Sequence, residues 1–127
     1  MIVVDASAAL SALMRAGPAR DALAVEQLHT AHLIDAEVAN ALRRSVLDEI
    51  LAEKQARSML SVWQAIGINR HPVAGVLGRV WELRDNLSAY DAAYVALAEA
   101  LGCGLLTADG RLGQAPGIRC PVTIVPG

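Results

Sequence analysis

Short apolar runs alternate along this chain with longer segments whose apolar residues recur at helical spacing. The β-branched run 2–4 predicts a buried strand, and the segment 6–14 after it predicts a helix. The alternation continues, with predicted strands at 2–4, 28–33, 68–71, 103–106 and 122–125 and predicted helices at 6–14, 18–26, 35–48, 52–66, 72–84 and 88–102. Strands alternating with helices form a mostly parallel sheet with helices on both faces, so the pattern predicts a three-layer α/β/α sandwich.

Local signals mark where several of these helices begin and end. Pro18 suits the first turn of the second helix, and Asp35 is well placed to cap the third. The sequence from Ser88 to Asp91 has the form of a capping box, in which the acid reaches back to the cap amide, and Gly102 ends that helix. No repeat, low-complexity tract or linker interrupts the chain, so we expect one domain over residues 1–127.

Composition excludes several classes of protein. With 54% hydrophobic and 19% charged residues, this chain of 127 residues is too apolar for a disordered segment. Its longest charge-free stretch, 58–69, is too short to span a membrane. Residues 1–13 lack the basic side chains of a secretory signal and include Asp5, so we expect a cytoplasmic protein with no membrane partner. In that location Cys103 and Cys120 are expected to be reduced, buried thiols.

Charge and aromatic content limit the ways in which the chain could bind nucleic acid. The formal net charge of −2 would repel a polyanion, so any such binding must be local and assisted by cations. With no Phe, two Trp and two Tyr, the chain has too few aromatic residues for the base-stacking platforms of RRM or single-strand-binding domains. We expect Trp63 and Trp81 to be core or interface anchors.

Four acidic residues lie where predicted strands lead into helices or turns. They are Asp5 after the first strand, Glu37 after the second, Asp91 in the last predicted helix and Asp109 beyond the fourth strand. These junctions share the carboxyl edge of an α/β sheet, so we expect the four side chains to converge. Taken singly, each could instead cap a helix, complement a helix dipole or form a turn. Together they would repel each other unless a divalent cation neutralised them, and their oxygen ligands suit Mg²⁺ or Mn²⁺.

Other common catalytic arrangements are missing from the sequence. No histidine lies near these acids in sequence, so a zinc site or a histidine general base has no obvious candidate. Neither the P-loop nor the dinucleotide-binding glycine motif is present. A metal ion would have to orient the phosphate, lower the pKa of a water molecule and stabilise the leaving oxygen. The residues therefore indicate a metal-dependent hydrolytic site.

Four segments together resemble the PIN domain of VapC toxins. They read V-V-D-A-S-A-A-L at 3–10, D-A-E-V-A-N-A-L-R-R at 35–44, S-A-Y-D-A-A-Y-V-A-L-A at 88–98 and L-L-T-A-D-G-R-L at 105–112. The resemblance covers essentially the whole chain and implies a five-stranded parallel sheet in the order 3-2-1-4-5. It also implies a Mg²⁺- or Mn²⁺-dependent endoribonuclease toxin that leaves a 5′-phosphate and is silenced by a cognate VapB-like antitoxin. The positive mean hydropathy of +0.38 fits a chain that buries apolar surface in a homodimer and in an antitoxin contact.

The resemblance also indicates which residues serve the site. The family's acids correspond to Asp5, Glu37, Asp91 and Asp109, which are our candidate catalytic and metal-ligating residues.

Three polar residues are candidates to support these acids. Ser7 and Thr107 match small hydroxyl positions that can hydrogen-bond a metal-bound water or the fourth acid, although a helix start and a strand end also favour such residues. Asn40, three residues after Glu37 on the same helical face, could hold that carboxylate.

Two arginines are candidates to bind RNA phosphates. Arg44 shares the face of Glu37 two turns away, and Arg111 follows Asp109 in the predicted turn. Either could instead be solvated or pair with a nearby acid such as Asp48.

Two other functions remain open on the sequence alone. A receiver-type phosphoacceptor domain also gathers acids at the carboxyl edge, but it needs a lysine late in the sheet, and the only lysine is Lys54 in a predicted surface helix. A PIN fold that acts only as an interaction module is the second alternative. Such a module would have lost its catalytic site, and the presence of all four acids argues against this.

Overall fold

A five-stranded parallel sheet forms the centre of the computed structural model, which describes residues 1–127. The strands are β1 (Ile2–Val4), β2 (Leu28–Ala31), β3 (Asn69–His71), β4 (Gly104–Thr107) and β5 (Val122–Ile124). They lie in the order β3-β2-β1-β4-β5, and every neighbouring pair is parallel. The predicted α/β class and strand order are confirmed.

Six α-helices pack around this sheet in two groups. They are α1 (Ala6–Met14), α2 (Pro18–Val25), α3 (Ile34–Leu47), α4 (Glu53–Ala65), α5 (Leu77–Glu82) and α6 (Ala89–Leu101). Helix α1 packs against α2, α3 and α4, whereas α5 packs against α6. None of these helices has the length and apolar character that crossing a bilayer requires.

Helix α6 is the most deeply buried helix. All seven residues from Ala92 to Ala98 are buried, and none is more than 5% exposed. A helix that is apolar on every side belongs in a core, and its alanines allow it to lie close to β1, β2 and β4. This burial fixes the first turn of α6, where Asp91 lies.

The pairing of β1 with β4 brings two distant segments of the sequence together. Val4 pairs with Leu106, and the backbone amide of Asp5 donates to the Leu106 carbonyl at 3.2 Å. Asp5 therefore leaves the sheet beside Thr107, so the loops that follow both strands begin at the same edge.

The start of α3 differs from the prediction. β2 ends at Ala31, and Leu33 rather than Asp35 occupies the position before the helix. Asp35 lies within the first turn, where its carboxylate accepts hydrogen bonds from the Arg70 guanidinium and from the indole nitrogen of Trp63. These partners favour the interior position, because they satisfy both oxygens of the carboxylate.

The predicted helix 72–84 is also interrupted. A 3₁₀ turn at 74–76 precedes α5, which begins only at Leu77. Gly75 lies in this turn, and glycine is the least favourable residue for a helix interior after proline, whereas Gly78 is accommodated within α5. The other predicted elements end within two residues of the observed bounds.

The tryptophans and cysteines only partly match expectation. Trp63 is 2% exposed and belongs to the core as expected, but Trp81 is 68% exposed and stacks only with the Arg84 guanidinium. Cys103 and Cys120 are free thiols that are half-buried rather than fully buried.

Candidate active site

Asp5 is the most rigidly held acid of the site. It caps α1, and one carboxylate oxygen, Oδ1, accepts hydrogen bonds from the Ala8 amide at 2.9 Å and the Ser7 hydroxyl at 2.7 Å. The other oxygen, Oδ2, accepts from the Thr107 hydroxyl at 2.5 Å. Asp5 is only 4% exposed, and this burial raises its pKa, while the three hydrogen bonds oppose the rise.

Ser7 and Thr107 connect the ends of β1 and β4 around this carboxylate. The Ser7 hydroxyl accepts from the Ala108 amide at 2.8 Å, and the Thr107 hydroxyl accepts from the Asp109 amide at 3.0 Å. Neither hydroxyl contacts the side chain of the fourth acid, Asp109, because both donate to Asp5. The alternative, a contact with a metal-bound water, stays a prediction. Ser7 and Thr107 therefore position Asp5 and shape the loop that carries Asp109.

Glu37 lies in the first turn of α3 and is half-buried. Burial raises the pKa of its carboxyl, and the charges of Asp91 and Asp5 add to the rise. Its oxygen Oε1 accepts a hydrogen bond of 2.5 Å from the Tyr94 hydroxyl. The predicted contact with Asn40 is absent, since the Asn40 side chain is exposed and does not hydrogen-bond Glu37.

The sequence analysis did not identify Tyr94 as a site residue. It lies three residues after Asp91 in α6, and residues at that spacing share one face of a helix. This spacing was the only available signal, because nothing in the sequence indicates that Glu37 on α3 lies opposite the same face.

Asp91 and Asp109 have different electrostatic surroundings. The Ser88 hydroxyl accepts from the Asp91 amide at 3.2 Å, but the reciprocal contact predicted for a capping box is absent, so the Asp91 carboxylate is not used as a cap. Burial raises the pKa of Asp91, and the charge of Asp109 adds to the rise. By contrast, two hydrogen bonds from the Arg111 guanidinium, at 2.9 and 3.1 Å, lower the pKa of Asp109.

The structure gathers the four acids into one electrostatically coupled group. Repulsion links Asp91 to each of the other three acids and also links Glu37 to Asp5. Of these carboxylates, only Asp109 forms a salt bridge, so the other three remain without a neutralising partner. The second candidate arginine, Arg44, is exposed and pairs with no acid, including Asp48.

This donor set fits a divalent ion that is held partly through water. No three His, Cys, Asp or Glu side chains are arranged closely enough to bind one ion by themselves. Mg²⁺ commonly keeps several waters and uses only one or two carboxylates. Asp5, Glu37 and Asp91 form no salt bridge, and the pKa of each is raised by burial and by the charge of a neighbouring acid. These three carboxylates provide the negative charge that such an ion needs.

A polar groove adjoins two of these acids. It has a volume of about 440 Å³ and lies between the loop before α6 and the 3₁₀ turn 112–114. Asp91, Asp109 and Arg111 line it together with Asn86 and Ser88. Because Asp91 and Asp109 would repel an extended polyanion, it could enter this groove only beside a positive charge, which Arg111 or a bound metal ion would supply.

Comparison with known proteins gives consistent results. Residues 2–118 match the PIN domain family. The chain is 52% identical over 126 residues to Ribonuclease VapC9 of Mycobacterium tuberculosis, and the match covers 99% of both chains. It is 43% identical over 130 residues to Ribonuclease VapC1 of the same organism, and that match covers 97% of this chain and 96% of that protein. The crystal structure of VapBC2 from Rickettsia felis, bound to a DNA fragment from its promoter, superposes with a TM-score of 0.71 at 14% identity and covers 97% of this chain and 98% of that one. The chain therefore belongs to the PIN-domain family and, within it, to the VapC ribonucleases.

Proposed function

We propose that this chain is a Mg²⁺- or Mn²⁺-dependent endoribonuclease toxin that acts in the cytoplasm. The observation that carries the proposal is the coupled group of four acids at the carboxyl edge of the sheet, three of which lack a cation partner. Membership of the VapC ribonucleases supports RNA as the substrate. A receiver-type domain is excluded by the same membership.

Each acid has a distinct part in this proposal. Asp5, Glu37 and Asp91 would hold the ion directly or through water, and Asp109 would be a fourth ligand or would hold the attacking water. When bound, the ion supplies positive charge next to the phosphate and lowers the pKa of water. Attack in line with the leaving oxygen would leave a 5′-phosphate and a 3′-hydroxyl.

Direct measurement of Mn²⁺ binding tests the metal dependence. Electron paramagnetic resonance of free Mn²⁺ would be followed during titration of the wild type, Asp5→Asn and the exposed control Asp48→Asn. We expect Asp5→Asn to bind Mn²⁺ more weakly by about tenfold or more, and Asp48→Asn to match the wild type. Equal affinity in all three proteins would show that the ion, if it binds, does so elsewhere.

We propose that the Arg111 guanidinium leaves Asp109 and binds an RNA phosphate when the substrate enters the site. Its side chain is 90% exposed, and its guanidinium hydrogen-bonds only Asp109. Arg111→Ala should therefore tighten Mn²⁺ binding by roughly threefold, because Asp109 loses an exposed ion pair. It should also raise KM for RNA by about tenfold, because one phosphate contact is lost.

Titration with Mn²⁺ and steady-state cleavage kinetics measure these two effects. Arg15→Ala, which removes an exposed arginine with no bonded partner, is the control. A variant of Arg111 with weaker Mn²⁺ affinity, or with unchanged KM, would contradict the exchange.

An apolar groove between α1, α2 and α4 is the proposed binding site for a VapB-like antitoxin. It has a volume of about 690 Å³, and most of its lining is apolar, with Leu23, Met59, Val62 and Ile66 among the lining residues. Amphipathic helices bind proteins by laying their apolar face in such grooves. The positive mean hydropathy also favours a homodimer, for which the exposed Trp81 on α5 is a candidate anchor.

Val62→Lys should separate antitoxin binding from catalysis. Val62 is 55% exposed, so the lysine can be solvated in the free toxin but would place a charge in the groove. We expect affinity for the cognate antitoxin to fall by about tenfold or more, with RNA cleavage unchanged. Isothermal titration calorimetry measures the affinity, and Val25→Lys, on α2 outside the groove, is the control. Equal losses in both variants would place the antitoxin elsewhere.

A further inference from the structure

Tyr94 joins two of the elements that carry site acids. Its ring lies in the core, with 1% of the residue exposed, and its hydroxyl donates to Glu37 Oε1 at 2.5 Å across 57 positions of sequence. This is the only hydrogen bond of that hydroxyl and the only one of the Glu37 carboxylate. Helix α6, which supplies Asp91, is thereby tied to the acid on α3.

The other acids are held by different means. Asp5 receives three hydrogen bonds from the segments around β1 and β4, and Asp109 receives three from Arg111, two from its guanidinium and one from its backbone amide. Glu37 has a longer and more mobile side chain than either aspartate, and no cation or backbone amide restrains it. Without Tyr94, its carboxylate could rotate freely among its rotamers.

The Tyr94 hydroxyl binds only one of the two oxygens of the Glu37 carboxylate, and this fixes how the carboxylate is oriented. Because Tyr94 occupies Oε1, the second oxygen of Glu37 stays free of any protein partner. A phenol donor also leaves the negative charge on the carboxylate, whereas an arginine would neutralise it.

We infer that Tyr94 is a positioning residue that holds the Glu37 carboxylate with one oxygen turned to the divalent ion and its waters. The inference rests on the proposed metal-dependent function. Tyr94 itself touches neither the ion nor RNA, and it acts only through Glu37. Outer groups that orient a metal ligand commonly change metal affinity or activity by about 10–100-fold.

Tyr94→Phe tests the inference because it removes the hydroxyl and keeps the ring that fills the core. We expect Mn²⁺ affinity, measured without RNA by electron paramagnetic resonance, to fall by about tenfold. On a single-site RNA we expect kcat to fall by about 10–100-fold with KM nearly unchanged, since no RNA contact is lost. Tyr90→Phe, four residues earlier on α6 and 64% exposed, is the control and should match the wild type.

A double-mutant comparison shows whether Tyr94 acts through Glu37. In a Glu37→Ala background, Tyr94→Phe should weaken Mn²⁺ binding no further. Glu37→Asp, which keeps the charge but shortens the side chain away from Tyr94, should weaken Mn²⁺ binding about as much as Tyr94→Phe. This second variant tests the inference even if Tyr94→Phe is too unstable to purify.

Two outcomes would overturn the inference while leaving the proposed function intact. One is a Tyr94→Phe protein with wild-type Mn²⁺ affinity and kcat, and the other is an equal further loss in the Glu37→Ala background. Wild-type protein that binds no Mn²⁺ and cuts RNA in the presence of EDTA would instead overturn the proposed function and this inference together.

Discussion

Asp91→Asn should strongly reduce RNA cleavage and, in the absence of metal, raise the thermal stability of the protein. The Asp91 carboxylate is half-buried, forms no salt bridge and lies near the charge of Asp109. Burial and that charge raise its pKa above the ordinary value of 3.8. In the proposed function, the site therefore contains a charge that catalysis needs and that folding disfavours.

The expected change in stability has a definite dependence on pH. A carboxyl with a raised pKa is harder to ionise in the folded chain than in the unfolded chain, so its charge lowers the free energy of unfolding at neutral pH. The amide removes this cost, with a gain of about 0.5–1 kcal/mol because Asp91 remains partly solvated. The gain is complete above the raised pKa and disappears as the pH falls below 3.8.

Thermal unfolding in EDTA and a cleavage assay measure the two effects. We expect a higher Tm for Asp91→Asn near pH 7, a difference that shrinks toward pH 4, and a loss of cleavage on the order of 10²–10³-fold. Asp48→Asn, an exposed substitution at the end of α3, should change neither quantity by much. An Asp91→Asn protein that is less stable than the wild type, or that cleaves RNA at the wild-type rate, would contradict this account of the site.

Thr107→Val should cause a large loss of stability for a substitution that keeps the shape of the side chain. Thr107 is fully buried, and its hydroxyl donates to Asp5 Oδ2 while accepting from the Asp109 amide. Removing it leaves a buried carboxylate oxygen and a backbone amide without partners, at a cost of about 1–3 kcal/mol. Cleavage should also fall, by about 10–100-fold, because Asp5 loses one of its supports.

A second buried threonine supplies a matched control. Thr30 is also fully buried, but its hydroxyl donates to the neutral carbonyl of Val4 at 2.8 Å. Thr30→Val should therefore cost about 1 kcal/mol at every pH. The loss in Thr107→Val should shrink in acid, because the lost bond stabilises only the ionised form of Asp5. Chemical denaturation at pH 7 and near pH 4 measures both, and parallel behaviour of the two variants would contradict the role assigned to Thr107.

The sequence predicted the fold well because its elements are bounded by strong local signals. The β-branched run of β1, the cap at Ser88 and the glycine after α6 depend on neighbouring residues alone. The convergence of the acids followed from one general property of parallel sheets, namely that strand ends lie at a common edge. The order of the strands needed the family resemblance, because strand order is set by packing between distant segments.

Two of the predictions that failed depended on contacts between distant parts of the chain. Asp35 looks like a helix cap until Arg70 and Trp63, far along the sequence, are placed beside it. Asn40 has the helical spacing to support Glu37, but Tyr94 on another helix provides the bond. Spacing along one helix predicts which residues share a face, but it does not show what that face meets.

Cleavage of cellular RNA by the purified protein, freed of any partner, tests the central claim most directly. The protein would be incubated with total RNA and Mg²⁺ or Mn²⁺, beside an EDTA control and the Asp5→Asn variant, and the new 5′ ends would be mapped. We predict discrete cuts that carry 5′-phosphates and that are lost in both controls. Folded, antitoxin-free protein that makes no cuts, or whose cuts persist in EDTA and in Asp5→Asn, would contradict a metal-dependent ribonuclease built on these acids.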